Sequence, residues 1–146
     1  MSYRSENVFG KDWDQGMTIK GWEVHNIQTP TTERGCPDRY MQKDHSSIWV
    51  ELKNVHEPVN TPTVDVPYRE GQQSWLYTHY SHGGLGFTAI AGSNGILVFR
   101  NTSVYRGKIY RFGESPQLYV TRFYSETISE WLSTFKVGVK DGKVGW

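Results

Sequence analysis

The chain has 146 residues, of which 16 are Lys or Arg and 15 are Asp or Glu, giving a formal net charge of +1. This length fits one domain with a single core. The one cysteine, Cys36, excludes an intramolecular disulfide framework and a cysteine-built zinc site. No apolar run reaches the roughly 20 residues that span a bilayer, and no signal peptide is recognisable, so we expect a cytoplasmic protein without a membrane partner.

The small net charge argues mildly against a nucleic-acid partner, but the charges are unevenly distributed along the chain. Residues 1–73 carry 8 basic and 11 acidic side chains, whereas residues 74–146 carry 8 basic and 4 acidic ones. Offsets of this size also arise by chance in short chains, so the asymmetry alone assigns no function.

The first predicted element is a helix that begins near Ser5, a residue type that caps helix N-termini. Phe9, Trp13 and Met17 follow at intervals of four residues and form one apolar face. Glu6 lies close to that face, so its carboxylate is expected to point toward the body of the protein.

Strand-like segments rich in aromatic and β-branched residues follow this helix. A second helix is predicted over 70–82, after a proline-rich loop at 56–67, and a third helix is capped by Ser125. The predicted strands cover residues 21–27, 36–42, 48–54, 86–91, 96–100 and 108–112. This order predicts a mixed α/β fold around one sheet, with a core over about 5–112 and a C-terminal helix and basic tail over 113–146.

Glu51 and Lys53 are the informative pair of the strand at 48–54. They lie two residues apart and so project from the same side of the sheet, where charges are costly unless they pair or bind something. Asp38 opens the preceding strand and can approach Glu51 across the ladder. Two carboxylates at one spot favour a hard cation such as Mg²⁺, and a lysine beside it suits phosphodiester chemistry. The alternative is a half-exposed strand with a solvated ion pair.

These residues carry a resemblance to a known family. RGCPDRYM followed by IWVELKN resembles the PD-(D/E)xK nuclease signature, whose residues here are Pro37-Asp38 and Glu51-x-Lys53. The Gly-x-Pro-Asp form at 35–38 is most similar to the VRR-NUC branch, which is found in phage and in replication or repair proteins.

Two further residues match the same family. REGQQSWL is similar to a segment of that branch that carries a glutamine on the helix after the core strands, here Gln72. Glu6 matches an amino-terminal carboxylate seen in many members. The resemblance covers roughly residues 5–100 and implies auxiliary catalytic roles for Gln72 and Glu6.

The resemblance also implies a fold and an activity. The fold is a restriction-endonuclease-like core with a mixed central sheet flanked by helices, and the activity is Mg²⁺- or Mn²⁺-dependent cleavage of DNA. Asp38 and Glu51 are implied as metal ligands, together with the backbone carbonyl of Leu52. Lys53 is implied to act on the nucleophilic water.

A standalone nuclease domain of this size is expected to pair with a second copy in order to cut both strands. We therefore expect a homodimer that acts on branched DNA such as a Holliday junction, encoded by a phage and working in the host cytoplasm. Two alternatives stay open: a nuclease for plain duplex DNA, and a non-catalytic binding module. The latter could be a decayed nuclease or an aromatic-rich ligand-binding protein.

The segment at 105–112 (YRGKIYRF) interleaves cations with aromatic rings. Such a pattern can stack bases while it neutralises phosphates. An ordinary hairpin whose aromatic residues pack in the core would show the same sequence pattern. The candidate phosphate-binding residues are Arg69, Arg106, Lys108 and Arg111. The predicted metal ligands lie in the acidic half and most of these cations in the basic half, so the near-neutral total does not exclude DNA.

Overall fold

The computed structural model describes residues 3–27 and 35–137, together with the backbone of 139–140 and 143–144. The strands of these residues are β1 (Glu23–Asn26), β2 (Arg39–Lys43), β3 (Ser46–Asn54), β4 (Thr63–Asp65), β5 (Gly86–Gly92), β6 (Gly95–Arg100), β7 (Ile109–Arg111), β8 (Gln117–Val120), β9 (Val139–Lys140) and β10 (Lys143–Val144). The helices are α1 (Glu6–Ile19), α2 (Gln72–Ser81) and α3 (Ser125–Ser133), with a 3₁₀ turn at Arg106–Lys108. None of these helices is long and apolar enough to cross a membrane.

A six-stranded mixed sheet forms the centre of the protein, in the order β1-β2-β3-β5-β6-β8. Only β3 and β5 run parallel within it, and every other neighbouring pair is antiparallel. A parallel pair needs a crossover, which the chain makes through α2. Two small ribbons, β4 with β7 and β9 with β10, stand apart from this sheet.

The first helix covers one face of the sheet. The side chain of Ser5 caps it by accepting a hydrogen bond from the backbone N–H of Val8 at 3.2 Å, as the sequence predicts. Phe9, Trp13 and Met17 are fully buried in a core that also contains side chains of α3. The helix and its apolar face are therefore confirmed.

The central strand β3 divides its side chains between the two faces. Ile48, Val50 and Leu52 belong to the core beneath α1 and α3. The intervening residues, which point to the opposite face, are Trp49, Glu51 and Lys53. This alternation agrees with the sequence prediction, and it places two charged residues on a strand that is covered on both sides.

The opposite face of the sheet is covered by α2 and by the β4–β7 ribbon. Leu76 of α2 belongs to the hydrophobic core on this face, together with Ile90 and Leu97. Phe99 of β6 stacks on Tyr110 of β7 with ring centroids 3.9 Å apart. The proline-rich loop thus contains one short strand, β4, and its pairing with β7 completes this layer.

Three details of the C-terminal half differ from the sequence prediction. The predicted strand at 108–112 exists as β7, but it pairs with β4 instead of joining the central sheet. The unpredicted β8 forms the sheet edge beside β6, so the sheet extends beyond residue 112. Ser125 does not cap α3: it is the first helical residue, and Tyr124 at the N-cap makes no side-chain capping bond.

The turn expected after β1 falls mostly on residues 28–34, outside the described residues.

Candidate active site

Glu51 and Lys53 form a nearly enclosed ion pair on β3. The ammonium Nζ lies 3.2 Å from Glu51 Oε2, and each side chain is only 3% exposed. Burial raises the pKa of Glu51 above its ordinary value, and the adjacent Lys53 opposes that rise. The solvated ion pair that the sequence left open is therefore excluded, because neither charge reaches bulk water.

Gln72, the first residue of α2, holds Glu51 from the other side. Its amide Nε2 donates to Glu51 Oε2 at 2.9 Å. Its own Oε1 accepts the backbone N–H of Arg69 at 2.7 Å, which fixes the orientation of the amide. Lys53 and Gln72 therefore both bond to Oε2 of Glu51. The buried Oε1 of Glu51 has no hydrogen-bond partner in the described part of the chain. A buried orphan carboxylate oxygen is costly unless a cation or a proton meets it.

Asp38 lies directly before β2, where the chain enters the sheet next to Glu51. Its Oδ1 accepts the backbone N–H of Leu52 at 3.3 Å, and its side chain is 29% exposed. Burial raises the pKa of Asp38 to about 7, and repulsion by Glu51 adds to the effect, while Arg39 opposes it. Two carboxylates with raised pKa values at one place compete for a proton or attract a cation.

A close contact between two glycines positions the loop that carries Asp38. Gly35 has φ +89° and Gly71 has φ +86°, a region that side chains rarely adopt. A Cβ added to Gly35 would lie 2.2 Å from the carbonyl oxygen of Gly71, immediately before Gln72. The backbone of the Asp38 loop is therefore seated against the start of α2, which brings Asp38 and Gln72 to the same site.

Glu6 on α1 faces this site from the other layer. It lines a polar cleft of about 360 Å³ together with Asp38 and Leu52. Its charge contributes to raising the pKa of both Asp38 and Glu51, although burial is the larger cause. The structure thus brings together all five predicted catalytic side chains, whose catalytic roles stay predictions.

An ion pair that the sequence analysis missed anchors α1 beside the site. Arg39 meets Asp14 through two bonds, Nε to Oδ1 at 2.6 Å and Nη2 to Oδ2 at 3.2 Å. Gly10 leaves the room for this guanidinium, since a Cβ there would lie 2.8 Å from Nη2. Such a two-point pair fixes the distance between α1 and β2 and hence the position of Glu6. The sequence feature that comes nearest to indicating this ion pair is Gly10, a glycine inside a helix.

A second missed feature is a closed ring of hydrogen bonds next to Glu51. The Tyr68 hydroxyl pairs with Thr88 Oγ1 at 2.6 Å, Thr88 donates to Asn101 Oδ1 at 2.8 Å, and Asn101 Nδ2 donates back to Tyr68 at 3.0 Å. Thr88 is the register partner of Glu51 in β5. The ring therefore gives the buried charges a polar neighbour whose own groups are all satisfied. No periodicity in the sequence connects these three residues.

The candidate phosphate-binding residues lie at the edge of the second layer. Arg69, Arg106 and Arg111 are exposed. Lys108 is also exposed, but its Nζ donates to the carbonyl of Tyr68 at 2.8 Å. Two of the aromatic residues interleaved with these cations, Tyr105 and Tyr110, are buried in the core and so are not free to stack on bases. Phe112, 39% exposed, is the one aromatic side chain of that segment on the surface.

The donor set fits a hard divalent cation. Within residues 3–27 and 35–137, no three His, Cys, Asp or Glu side chains come together as a complete metal-binding group. The site offers two carboxylates, one with an orphan oxygen, and Mg²⁺ is commonly held by one or two carboxylates with water and substrate phosphate completing its shell. The carbonyl of Leu52 as a further ligand stays a prediction.

Comparisons with known proteins agree with this architecture. No protein-family model and no curated protein matches the sequence. The matching solved structures include the 1.6 Å structure of Hjc from Archaeoglobus fulgidus, described as a Holliday junction resolvase from an archaeal hyperthermophile. The two chains are 14% identical and superpose with a TM-score of 0.50, over 64% of this chain and 75% of that chain. The predicted fold, a restriction-endonuclease-like mixed sheet with flanking helices, is thereby confirmed.

Proposed function

We propose that this protein is a DNA endonuclease that depends on a divalent metal ion. The observation that carries the proposal is the convergence of Asp38, Glu51 and Lys53 at one end of the sheet, with an orphan oxygen on the buried glutamate. Two carboxylates for a cation and a fixed ammonium beside them are the groups that phosphodiester hydrolysis needs. The fold shared with Hjc, described as a Holliday junction resolvase, supports the same conclusion.

Each side chain has a part in the proposed reaction. Mg²⁺ or Mn²⁺ bound by Asp38 and Glu51 would polarise the phosphodiester and lower the pKa of a bound water. Lys53, held in place by Glu51, donates a hydrogen bond toward the attacking water or the phosphate and offsets the negative charge of the transition state. Gln72 and Lys53 both bond to Oε2 of Glu51, so Oε1 is left for the cation. Glu6 adds a further acceptor at the mouth of the cleft.

The proposed hydrolysis is an in-line displacement. The water oxygen bonds to phosphorus, the bond from phosphorus to O3′ breaks, and the O3′ atom leaves with a proton as a hydroxyl group. The products are a 5′-phosphate and a 3′-hydroxyl, as the family resemblance implies. The exposed cations Arg69, Arg106 and Arg111, with Lys108, would contact phosphates of the bound DNA.

We propose branched DNA as the substrate and a homodimer as the working form. Resolving a four-way junction needs two cuts, and the described part of each chain offers one site of the kind described above. Hjc is described as acting on Holliday junctions, which supports this choice of substrate. A phage origin and action in the host cytoplasm belong to the same proposal.

One assay tests the proposed activity. Linear, flapped, bubbled and four-way-junction DNA are incubated with the wild-type protein and with Asp38→Ala, in Mg²⁺ or in EDTA. We expect Mg²⁺-dependent cleavage of the junction by the wild-type protein and none by the variant. Cleavage that the substitution leaves unchanged would contradict the assigned site. If concentrated wild-type protein cut no substrate, the non-catalytic binding module would be the better account.

A further inference from the structure

A row of four aromatic rings leads away from Glu51 on the same face of the sheet. Trp49 lies two residues before Glu51 on β3, and Tyr40 is its register partner on β2, with ring centroids 4.7 Å apart. On the other side, Trp49 meets Trp75 of α2 at 5.2 Å, and Trp75 stacks on His79 at 5.1 Å with an interplanar angle of 27°. We call these four residues, Tyr40, Trp49, Trp75 and His79, the aromatic row.

The aromatic row is open to solvent in part, unlike the rings of the two cores. All four of its residues are half-buried, whereas Phe9, Phe87 and Phe99 are fully enclosed. Beyond Tyr40, toward the sheet edge, its register partner His25 on β1 is exposed. The row therefore runs from beneath α2 out onto a part of the sheet that this helix leaves uncovered.

The surface of the row is uncharged, and the hydroxyl of Tyr40 is already hydrogen-bonded. The hydroxyl of Tyr40 pairs with Ser47 Oγ at 2.5 Å and accepts from Gln42 Nε2 at 3.0 Å. Burial lowers the pKa of His79, and repulsion from His82 acts in the same direction. Neighbouring rings of the row are tilted by 27° to 62°, so each presents its own partly open aromatic surface. A neutral aromatic surface beside charged carboxylates suits a ligand that has an aromatic part and an anionic part.

We infer that the aromatic row stacks on an unpaired base of the DNA, next to the phosphate that is cleaved. This inference rests on the proposed function and names the part of the substrate that the site selects. Trp49 and Glu51 lie ~6.6 Å apart along the strand, so a base seated on the row places its own phosphate at the catalytic carboxylate. Bases inside an intact duplex stack on one another, so the row favours flaps and opened junctions over plain duplex.

The position of the row argues for a base over a second copy of this chain. A partner protein seated on Trp49 would also lie over Glu51, two residues along the same face of β3, where the proposed substrate has to bind. The helix that carries Trp75 begins with Gln72, which is bonded to Glu51, so the row is held in fixed register with the catalytic groups. A rigid platform of this kind adds affinity without ordering new side chains.

Trp75→Leu tests the inference, with Tyr77→Leu as the matched control. Tyr77 lies on the same helix, is 42% exposed and is outside the row. The probes are two DNAs, a blunt duplex and the same duplex with a short single-stranded flap that carries 2-aminopurine at the branch. Binding is measured with Ca²⁺ in place of Mg²⁺, so that the DNA stays intact.

We expect the wild-type protein to quench the 2-aminopurine on binding. Trp75→Leu should lose the quenching and weaken flap binding about tenfold, with less than a twofold effect on the blunt duplex. Tyr77→Leu should behave as wild type. An equal loss on both DNAs, or no loss, would overturn the inference. So would a change from dimer to monomer in Trp75→Leu, since the row would then be a contact between copies.

Two readouts separate this inference from the proposed function. Tyr40→Leu, at the other end of the row, serves as the second variant if Trp75→Leu does not fold. Tyr40→Leu should also lose the quenching and bind the flap more weakly than the wild-type protein does. If it does not, the inference fails. If the wild-type protein cuts no DNA but binds the flap in a Trp75-dependent way, the nuclease proposal fails and the stacking site stands. If it cuts DNA and both variants bind flaps normally, only the stacking site fails.

Discussion

Lys53 Nζ lies 3.2 Å from Glu51 Oε2, inside a pair of side chains that are each only 3% exposed. Buried pairs of this kind are weak sources of stability, because the loss of hydration cancels much of their attraction. Removing one partner is a different matter, since the other charge then stays buried without compensation. The placement of such a pair on a strand covered on both sides points to a function beyond stability.

Lys53→Met should destabilise the protein by about 3 kcal/mol at pH 8. The loss should be smaller at pH 5, because Glu51 without its ammonium partner takes up a proton and becomes neutral. Urea unfolding at the two pH values measures both quantities. Lys11→Met, on the exposed side of α1, is the control and should change stability by less than about 0.5 kcal/mol. If the loss were the same at both pH values, the uncompensated charge of Glu51 would not be its cause.

The raised pKa of Asp38 predicts how metal binding depends on pH. In the folded protein this pKa is about 7, well above the value of about 3.9 for an unfolded chain. Between these values the folded state holds a proton that the unfolded state has released, so stability without metal should fall as the pH rises from about 4 to about 7. A bound cation replaces the proton, so the increase in melting temperature caused by Mg²⁺ should grow over the same interval.

Thermal unfolding with and without Mg²⁺, from pH 5 to pH 8, measures this linkage. Asp38→Asn should flatten the fall in stability and remove the effect of Mg²⁺. Asp44→Asn is the matched control, because Asp44 is exposed in the next turn and asparagine tolerates its positive φ. A Mg²⁺ effect that does not vary with pH would show that the cation does not compete with this proton.

Gly35→Ala should separate the Asp38 loop from the start of α2. The added Cβ would lie 2.2 Å from the carbonyl oxygen of Gly71, and neither backbone has room to move without displacing Gln72. We expect a loss of about 3 kcal/mol and of Mg²⁺-induced stabilisation. Gly83→Ala is the matched control, since Gly83 has nearly the same φ with nothing within 4 Å, and it should cost about 1 kcal/mol. Equal losses in the two variants would argue against the glycine contact.

The double substitution Arg106→Gln and Arg111→Gln should weaken DNA binding evenly across sequences. Each phosphate contact contributes about 0.9 to the slope of log affinity against log salt concentration, so the slope should fall by about 2. Binding measured over a range of salt concentrations gives that slope. Arg122→Gln is the control. Arg122 is exposed and lies just after β8, and its substitution should leave the slope unchanged. An unaltered slope in the double variant would place the DNA elsewhere.

The helix and strand patterns that organise the site could be read from the sequence because they repeat locally. The spacing of Phe9, Trp13 and Met17 defines α1, and the alternation along β3 sets Glu51 and Lys53 on one face. Asp38 was expected beside Glu51 across the ladder of neighbouring strands, and Gln72 was assigned to the site by the family resemblance. The expectations for α1, β3 and Asp38 depend on the period of a helix or a strand and on residues close in the chain.

Contacts between distant segments could not be read in this way. Asp14 and Arg39 lie 25 positions apart, and Tyr68 and Asn101 lie 33 apart, with no local pattern that relates them. The strand β8 was not predicted because its residues do not alternate between buried and exposed: three of the four are half-buried. Its register is set by pairing with β6 in the sheet. Tyr105 and Tyr110 were open candidates for stacking until the packing against Phe99 placed them in the core.

The most direct test of the proposed metal centre is the rate of junction cleavage as a function of Mg²⁺ concentration, measured for wild type, Asp38→Asn and Asp44→Asn. We expect a rate that rises with Mg²⁺ and saturates for the wild-type protein and for Asp44→Asn. For Asp38→Asn, folded to the same extent by circular dichroism, we expect a loss of at least about 100-fold. An Asp38→Asn protein that cleaves the junction at the wild-type rate would contradict the assignment of Asp38 to the metal centre.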